Sequence, residues 1–176
     1  GGRRFLLADT PGTYSLLARS AEEEAAQEAI CFGGADAVIV MCDATCLERS
    51  LNLALQVLEM TNRAVICVNL MDEARKRGIK IDLERLEAML GVPVVGCAAR
   101  SGAGLSALLA RAAQAAKGEA RPVCVRYAVD IERACAQLAA LFPGAQLAVS
   151  ARFAAMRLLE GDTRLSRRIL ASMDMR

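Results

Sequence analysis

Apolar residues along this chain fall into two patterns. Short unbroken runs occur at Phe5-Leu6-Leu7-Ala8, at residues 37–42, at residues 64–68 and at residues 93–97, and three of the four end on a polar residue: Asp9, Asp43 and Asn69. The fourth ends near Ala98. Runs of this kind predict strands buried on both faces, as in a parallel sheet. Helical periodicity fills the intervals. Ser20 stands three residues before Glu23, a capping box that also sets Glu22, Glu23 and Glu24 at the positive end of a helix. Thr45 and Glu48 repeat that arrangement ahead of a face made by Leu47, Leu51, Ala54, Leu55 and Leu58. Asp82 opens a helix with Leu83, Leu86, Met89 and Leu90, stopped by Gly91 and Pro93. Leu105, Leu108, Leu109 and Ala112 mark another. The alternation βαβαβαβα predicts an α/β domain with a parallel sheet and right-handed crossovers.

After Lys117-Gly118 the rhythm changes. Residues 1–118 are expected to form the α/β domain and residues 119–126, which contain Pro122, a linker. Residues 127–176 carry only helical periodicity. Ile131, Cys135, Leu138, Leu141 and Phe142 lead to Pro143-Gly144, Ser150 opens a second helix with Phe153, Met156 and Leu158, and a third starts near Asp162.

Composition narrows the chemistry. Of 176 residues, 3% are aromatic and none is Trp, while alanine occurs 34 times, so the core is aliphatic and the helices pack closely. Stacking platforms for single-stranded nucleic acid are absent, and a net charge of +2 gives no field to attract one. No nucleic-acid partner is expected. Without histidine, Ser-His-Asp and Cys-His catalysis are excluded. Seven cysteines form no CxxC pair, and the odd count with the small apolar neighbours of Cys67 and Cys97 fits reduced, buried thiols in a cytosolic protein. No apolar run approaches the ~20 residues that span a bilayer. The chain opens on Gly1-Gly2 rather than Met, which reads as a junction or a point of truncation.

Ligands of open α/β sheets bind beyond the carboxyl ends of the strands. The first such end reads Asp9-Thr10-Pro11-Gly12. An Asp leaving a strand can hold Mg²⁺ through water, and a following Gly lets a backbone N–H approach a terminal phosphate. A strand with a Pro-Gly turn gives the same string. Asn69-Leu70-Met71-Asp72 is more specific. A carboxylate three residues after an Asn can accept from both N1–H and the exocyclic amine of guanine, a donor pair that adenine lacks. The Asn can brace the loop and touch the purine. The next strand end, Cys97-Ala98-Ala99-Arg100-Ser101-Gly102-Ala103-Gly104, can bring a backbone N–H to the guanine carbonyl.

The strings Asp9-Thr10-Pro11-Gly12-Thr13-Tyr14-Ser15-Leu16, Asp43-Ala44-Thr45-Cys46-Leu47-Glu48-Arg49 and Asn69-Leu70-Met71-Asp72 resemble the cytosolic GTPase domain of the bacterial ferrous iron transport protein B family. Ala151-Arg152-Phe153 and Leu158-Leu159-Glu160-Gly161-Asp162 resemble the helical domain that follows it. The resemblance implies a P-loop-GTPase-like fold, GTP or GDP with Mg²⁺ as cofactors, and a membrane-embedded iron-permease domain of the same parent protein as partner. It makes Asp9 the water-mediated Mg²⁺ contact and Gly12, after Thr10 and Pro11, the γ-phosphate sensor. Asn69 and Asp72 would read the base, flanked by Leu70 and Met71. Ala99 would offer its N–H to guanine, and Ala98 stands where many relatives carry Ser or Thr. Leu70 replaces the Lys of the commoner N-K-x-D motif, so stacking there would be aliphatic.

No G-x-x-x-x-G-K-[ST] string occurs in the chain, and the switch I Thr is missing with it. The expectation is a sheet lacking its first strands, in which these residues alone neither bind GTP tightly nor hydrolyse it. In the family the first strand lies between those ending at Asp9 and Asp43. Without it the two strands pair directly, leave a gap, or recruit a strand from elsewhere, and an open edge invites self-association. The alternatives are a non-hydrolysing GTPase-like interaction module and a ribosome-assembly GTPase, the latter disfavoured by the 43–49 and 158–162 strings.

Overall fold

A computed structural model describes residues 4–12, 20–142 and 149–174. Its centre is a parallel sheet of three strands, β1 (Val38–Asp43), β2 (Ala64–Asn69) and β3 (Val94–Gly96), in spatial order β1-β2-β3. Val38 pairs with Ala64 and Ile66 with Val94, so the polar strand ends Asp43 and Asn69 lie side by side. The helices are α1 (Ala21–Phe32), α2 (Leu47–Met60), α3 (Met71–Lys76), α4 (Leu83–Leu90), α5 (Leu105–Ala115), α6 (Val129–Ala139), α7 (Ala151–Leu159) and α8 (Thr163–Asp174).

Alternation along the strands divides the core in two. Val40, Cys42, Ala64, Ile66, Val68 and Val94 face a broad cluster that includes Ala54, Val57 and Leu58 of α2, Leu90 of α4 and Phe153 of α7. Val65, Cys67, Val95 and Cys97 face Leu108 and Ala112 of α5. Strand β2 is buried on both faces, as its unbroken apolar run predicts. On β1 the second face is thin: Ile39 is partly buried and Met41 is 51% exposed.

Several predicted helix starts are present. Ser20 Oγ accepts from Glu23 N–H at 3.2 Å, Asp82 Oδ1 from Arg85 N–H at 2.9 Å, and Ser150 Oγ from Phe153 N–H at 3.1 Å. Gly91 ends α4 with a left-handed φ of 68°, and a Cβ there would lie 2.1 Å from Arg121 O. Two expectations are corrected. Thr45 does not cap α2: its N–H and hydroxyl both bond Asp43 Oδ1, at 2.7 and 2.8 Å, and the helix begins after Cys46 without a side-chain cap. An Asp two residues upstream outcompetes the helix for the Thr hydroxyl.

The second correction concerns residues 5–8. They form no strand, and residues 4–12 are exposed throughout, with Leu6 at 99%. A strand exists only where a neighbour takes its backbone N–H and C=O groups, and β1, the expected neighbour but one, pairs with β2 alone. Among the described residues no strand pairs with the outer edge of β1.

Beyond α5, residues 119–128 carry no helix or strand. Val123 N–H donates to Leu90 O at 2.8 Å, and Tyr127 Oη donates to Glu59 Oε1 at 3.2 Å. Arg152 holds both carboxylate oxygens of Glu132, at 2.8 and 2.9 Å, and Val125 O at 2.8 Å, tying α6, α7 and this segment together. The paired guanidinium pulls the Glu132 carboxyl down to about 2. Arg164 and Arg168 of α8 pair with Glu24 and Glu28 of α1. The expected helix end at Pro143-Gly144 lies outside the described residues, as do Gly1-Gly2 and the 13–16 part of the first motif.

Candidate functional site

Three strand ends, two of them polar, and their loops converge at the carboxyl edge of the sheet. Ala44 N–H donates to Asn69 O at 2.9 Å, joining the ends of β1 and β2. The Asn69 side chain reaches the other way, where its Oδ1 accepts the Ala99 N–H at 3.0 Å. Met71 N–H donates to Cys97 O at 3.0 Å, so two bonds lock the 69–72 loop to the 97–104 loop. With Oδ1 engaged by a donor, the amide is fixed with its Nδ2 group turned away from Ala99.

The second loop is closed on itself. Ala98 N–H bonds Ala103 O at 3.0 Å, Ser101 Oγ donates to Ala98 O at 3.0 Å, and Ala99–Ser101 form one 3-10 turn. Gly104 leads into α5 at φ 84°, where a Cβ would stand 2.4 Å from Gly96 O. Only glycine fits that close approach. Leu70 is the one described non-glycine residue with positive φ, at 62°, and it is partly exposed beside the loop. Holding a branched side chain there costs on the order of 1 kcal/mol, offset by the bonds on either side of it.

Asp72 lies in the first turn of α3, partly exposed. Among the described residues its carboxylate has no hydrogen-bond partner, so it is free to accept. The neighbouring Asp43 carboxyl differs: the Thr45 N–H and hydroxyl hold it below the usual range.

The structure therefore brings Asn69, Leu70, Met71, Asp72, Ala98 and Ala99 together. It adds the Met71–Cys97 bond and the Gly104 approach, for which the Gly102-x-Gly104 spacing was the available sign. It gives the expected backbone donor a partner within the protein, since Ala99 N–H goes to Asn69, and it closes the Ala98 N–H on Ala103. Asp9, Thr10, Pro11 and Gly12 are different. They lie on the exposed 4–12 segment, and a Cβ on Gly12 would meet nothing within 4 Å.

A family model described as ferrous iron transport protein B matches residues 1–112. The chain belongs to that family. It is 34% identical over 160 residues to the Fe(2+) transporter FeoB of Escherichia coli K12, covering 89% of this chain and 21% of that protein. It is 35% identical over 175 residues to an Fe(2+) transport protein A/FeoB fusion protein of Porphyromonas gingivalis, covering 95% and 21%. The chain thus spans about a fifth of the curated relatives it matches. Among solved structures, the cytosolic domain of the T. maritima FeoB iron transporter in a GMPPNP form superposes with a TM-score of 0.82 at 31% identity, over 93% of this chain and 65% of that one. The cytosolic domain of L. pneumophila FeoB gives 0.80 at 31% identity, over 96% and 70%. These likenesses bear out the family and the parallel α/β fold. Among the described residues, no helix is long and apolar enough to cross a membrane.

The donor set can be tested against the nucleotide and metal that the family implies. The joined loops offer a free carboxylate, an oriented amide and an aliphatic side chain around one edge, which fits a planar base. The 4–12 segment does not fit Mg²⁺ or a triphosphate by itself. Asp9 is a single carboxylate, and among the described residues no three His, Cys, Asp or Glu group as metal ligands.

Proposed function

We propose that this chain is the base-reading part of the guanine-nucleotide-binding region of a ferrous iron transporter, whose nucleotide state gates Fe²⁺ passage through a membrane domain of the parent protein. The observation that carries this reading is the Asn69–Ala99 bond, because it joins the two loops that must act on one ligand. Neighbours at 31% identity solved in GDP and GMPPNP forms support it.

In this reading Asp72 accepts from guanine N1–H and its exocyclic amine, Asn69 presents Nδ2 to the purine, and Leu70 and Met71 line the ring. Ala99 acts through Asn69 by fixing which way the amide points, and Ala98 holds the loop closed. Asp9 and Gly12, flanking Thr10 and Pro11, are assigned to Mg²⁺ and the γ-phosphate only in the complete region. Two charge-assisted bonds contribute roughly 3–6 kcal/mol together, which corresponds to a Kd on the order of 10⁻⁴ M or weaker. The 176 residues alone are therefore expected to bind guanine nucleotide weakly and not to hydrolyse it.

Titration of a fluorescent GDP analogue, with competition by guanine and xanthine nucleotides, tests this. The expected result is weak, guanine-selective binding that Asp72→Asn shifts towards xanthine, whose C2 carbonyl needs a donor. Submicromolar, Mg²⁺-dependent affinity, or selectivity unmoved by Asp72→Asn, overturns the reading.

A further inference from the structure

Cys97 is the residue on which the two candidate loops meet. Its N–H donates to Val68 O at 2.8 Å, and its carbonyl accepts from Met71 N–H at 3.0 Å. Its backbone thus joins β2 to the start of α3. The side chain supports the other loop. A Cβ on Gly104 would stand 2.9 Å from Cys97 Sγ and 3.1 Å from Cys97 Cα, in addition to its approach to Gly96 O. Gly104, the last residue before α5, therefore rests directly on the Cys97 side chain.

The thiol has no free space to move into. Cys97 is 1% exposed, in the cluster formed with Val65, Cys67, Val95, Leu108 and Ala112. It is hydrogen-bonded there to the Cys67 thiol. Cys67 stands two residues before Asn69, as Cys97 stands two before Ala99. The two thiols tie the same chain segments as the Asn69–Ala99 bond, one period-two step deeper in the sheet. Burial, with the Cys97 thiol beside it, pushes the Cys67 thiol up to about 12. Cys67 stays protonated, and what it offers Cys97 is shape rather than charge.

A close-packed interior passes a change of even one methyl group to a neighbour. On the sheet side of Cys97 little can yield, because Cys67 is paired in register with Met41 and Val95. Gly104 belongs to a loop and yields more easily. A change of volume at position 97 is therefore taken up by the loop that carries Ala99.

Resting on the base-reading role given to these loops, we infer that Cys97 is a positioning residue for guanine selectivity. The volume of its side chain sets how high the 97–104 loop sits over β2, while its carbonyl holds the residue before Asp72. Together they fix the gap in which the base is read. Cys97 touches no nucleotide itself; it acts through Gly104 and Met71.

The test compares GDP with inosine diphosphate, which lacks the exocyclic amine, by NMR titration of the whole ¹⁵N-labelled chain. The parent should prefer GDP about tenfold or more, the value of one hydrogen bond to a charged group. Cys97→Val, branched and one methyl larger, should cut that preference to about threefold or less and speed exchange of the Ala99 amide. Cys97→Ala, which withdraws the support instead of overfilling it and strains the fold less, should cut it at least about twofold. Cys97→Ser, the nearest in shape, should keep most of it. Val65→Ala, in the same cluster but four residues before Asn69, should lower stability and leave the preference unchanged. A selective parent whose preference survives both Cys97→Val and Cys97→Ala overturns the inference and leaves the base-reading role standing. So does a loss in Cys97→Ser or Val65→Ala equal to that in Cys97→Val. A parent that does not distinguish the two nucleotides overturns the base-reading role and this inference with it.

Discussion

Two strand-end regions of this protein carry motifs of similar length and meet different fates. The 69–72 and 97–104 loops are held by Asn69 Oδ1 to Ala99 and Met71 to Cys97, on strands whose neighbours are in place. The Asp9-to-Gly12 turn follows an apolar run as strand-like as the others, yet residues 4–12 are exposed and unpaired. The difference lies in their neighbours rather than in their own composition. Ile66 sits between two strands and two helix layers, whereas Leu6 has neither. A binding motif becomes a binding site only when its strand has a ladder to join.

That contrast can be pressed by substitution, read as urea-unfolding free energy by circular dichroism. Ile66→Ala, in the fully buried β2, should cost about 2–5 kcal/mol and serves as the upper reference. Gly104→Ala should cost about 1–3 kcal/mol, since a Cβ meets Gly96 O at a positive φ. Asn69→Ala leaves Ala99 N–H without its acceptor and should cost about 1 kcal/mol, with faster exchange of the Ala99 amide as a local readout. Leu6→Ser should stay within about 0.5 kcal/mol of the parent. A Leu6→Ser cost equal to that of Asn69→Ala would mean that the 4–12 segment is packed after all, and the comparison would fail.

Much of this was legible in the sequence because it is local. The apolar runs at 37–42 and 64–68 are strands, the Ser20, Asp82 and Ser150 caps work as read, and Gly91 ends its helix. The failures have a common cause in competition and context. Thr45 had two partners available, and Asp43 outweighed the helix N-terminus. Residues 5–8 had the right side chains but no neighbour, a conflict that the absent G-x-x-x-x-G-K-[ST] string already signalled. At the candidate site the sequence named the residues that meet. It did not reveal that Ala99 would spend its N–H on Asn69, or that Leu70 would adopt a left-handed backbone, because both follow from how the two loops close on each other.

The bond between Tyr127 and Glu59 has an optical consequence. With no tryptophan to dominate emission, the chain's fluorescence comes from Tyr14 and Tyr127 alone. Tyr127 lies on the 119–128 segment with its phenol on a half-buried carboxylate of α2, and a carboxylate acceptor quenches tyrosine emission. A Tyr14→Phe protein would therefore carry a single built-in lamp. It would brighten whenever the segment lifts from α2, and report that motion without any attached label.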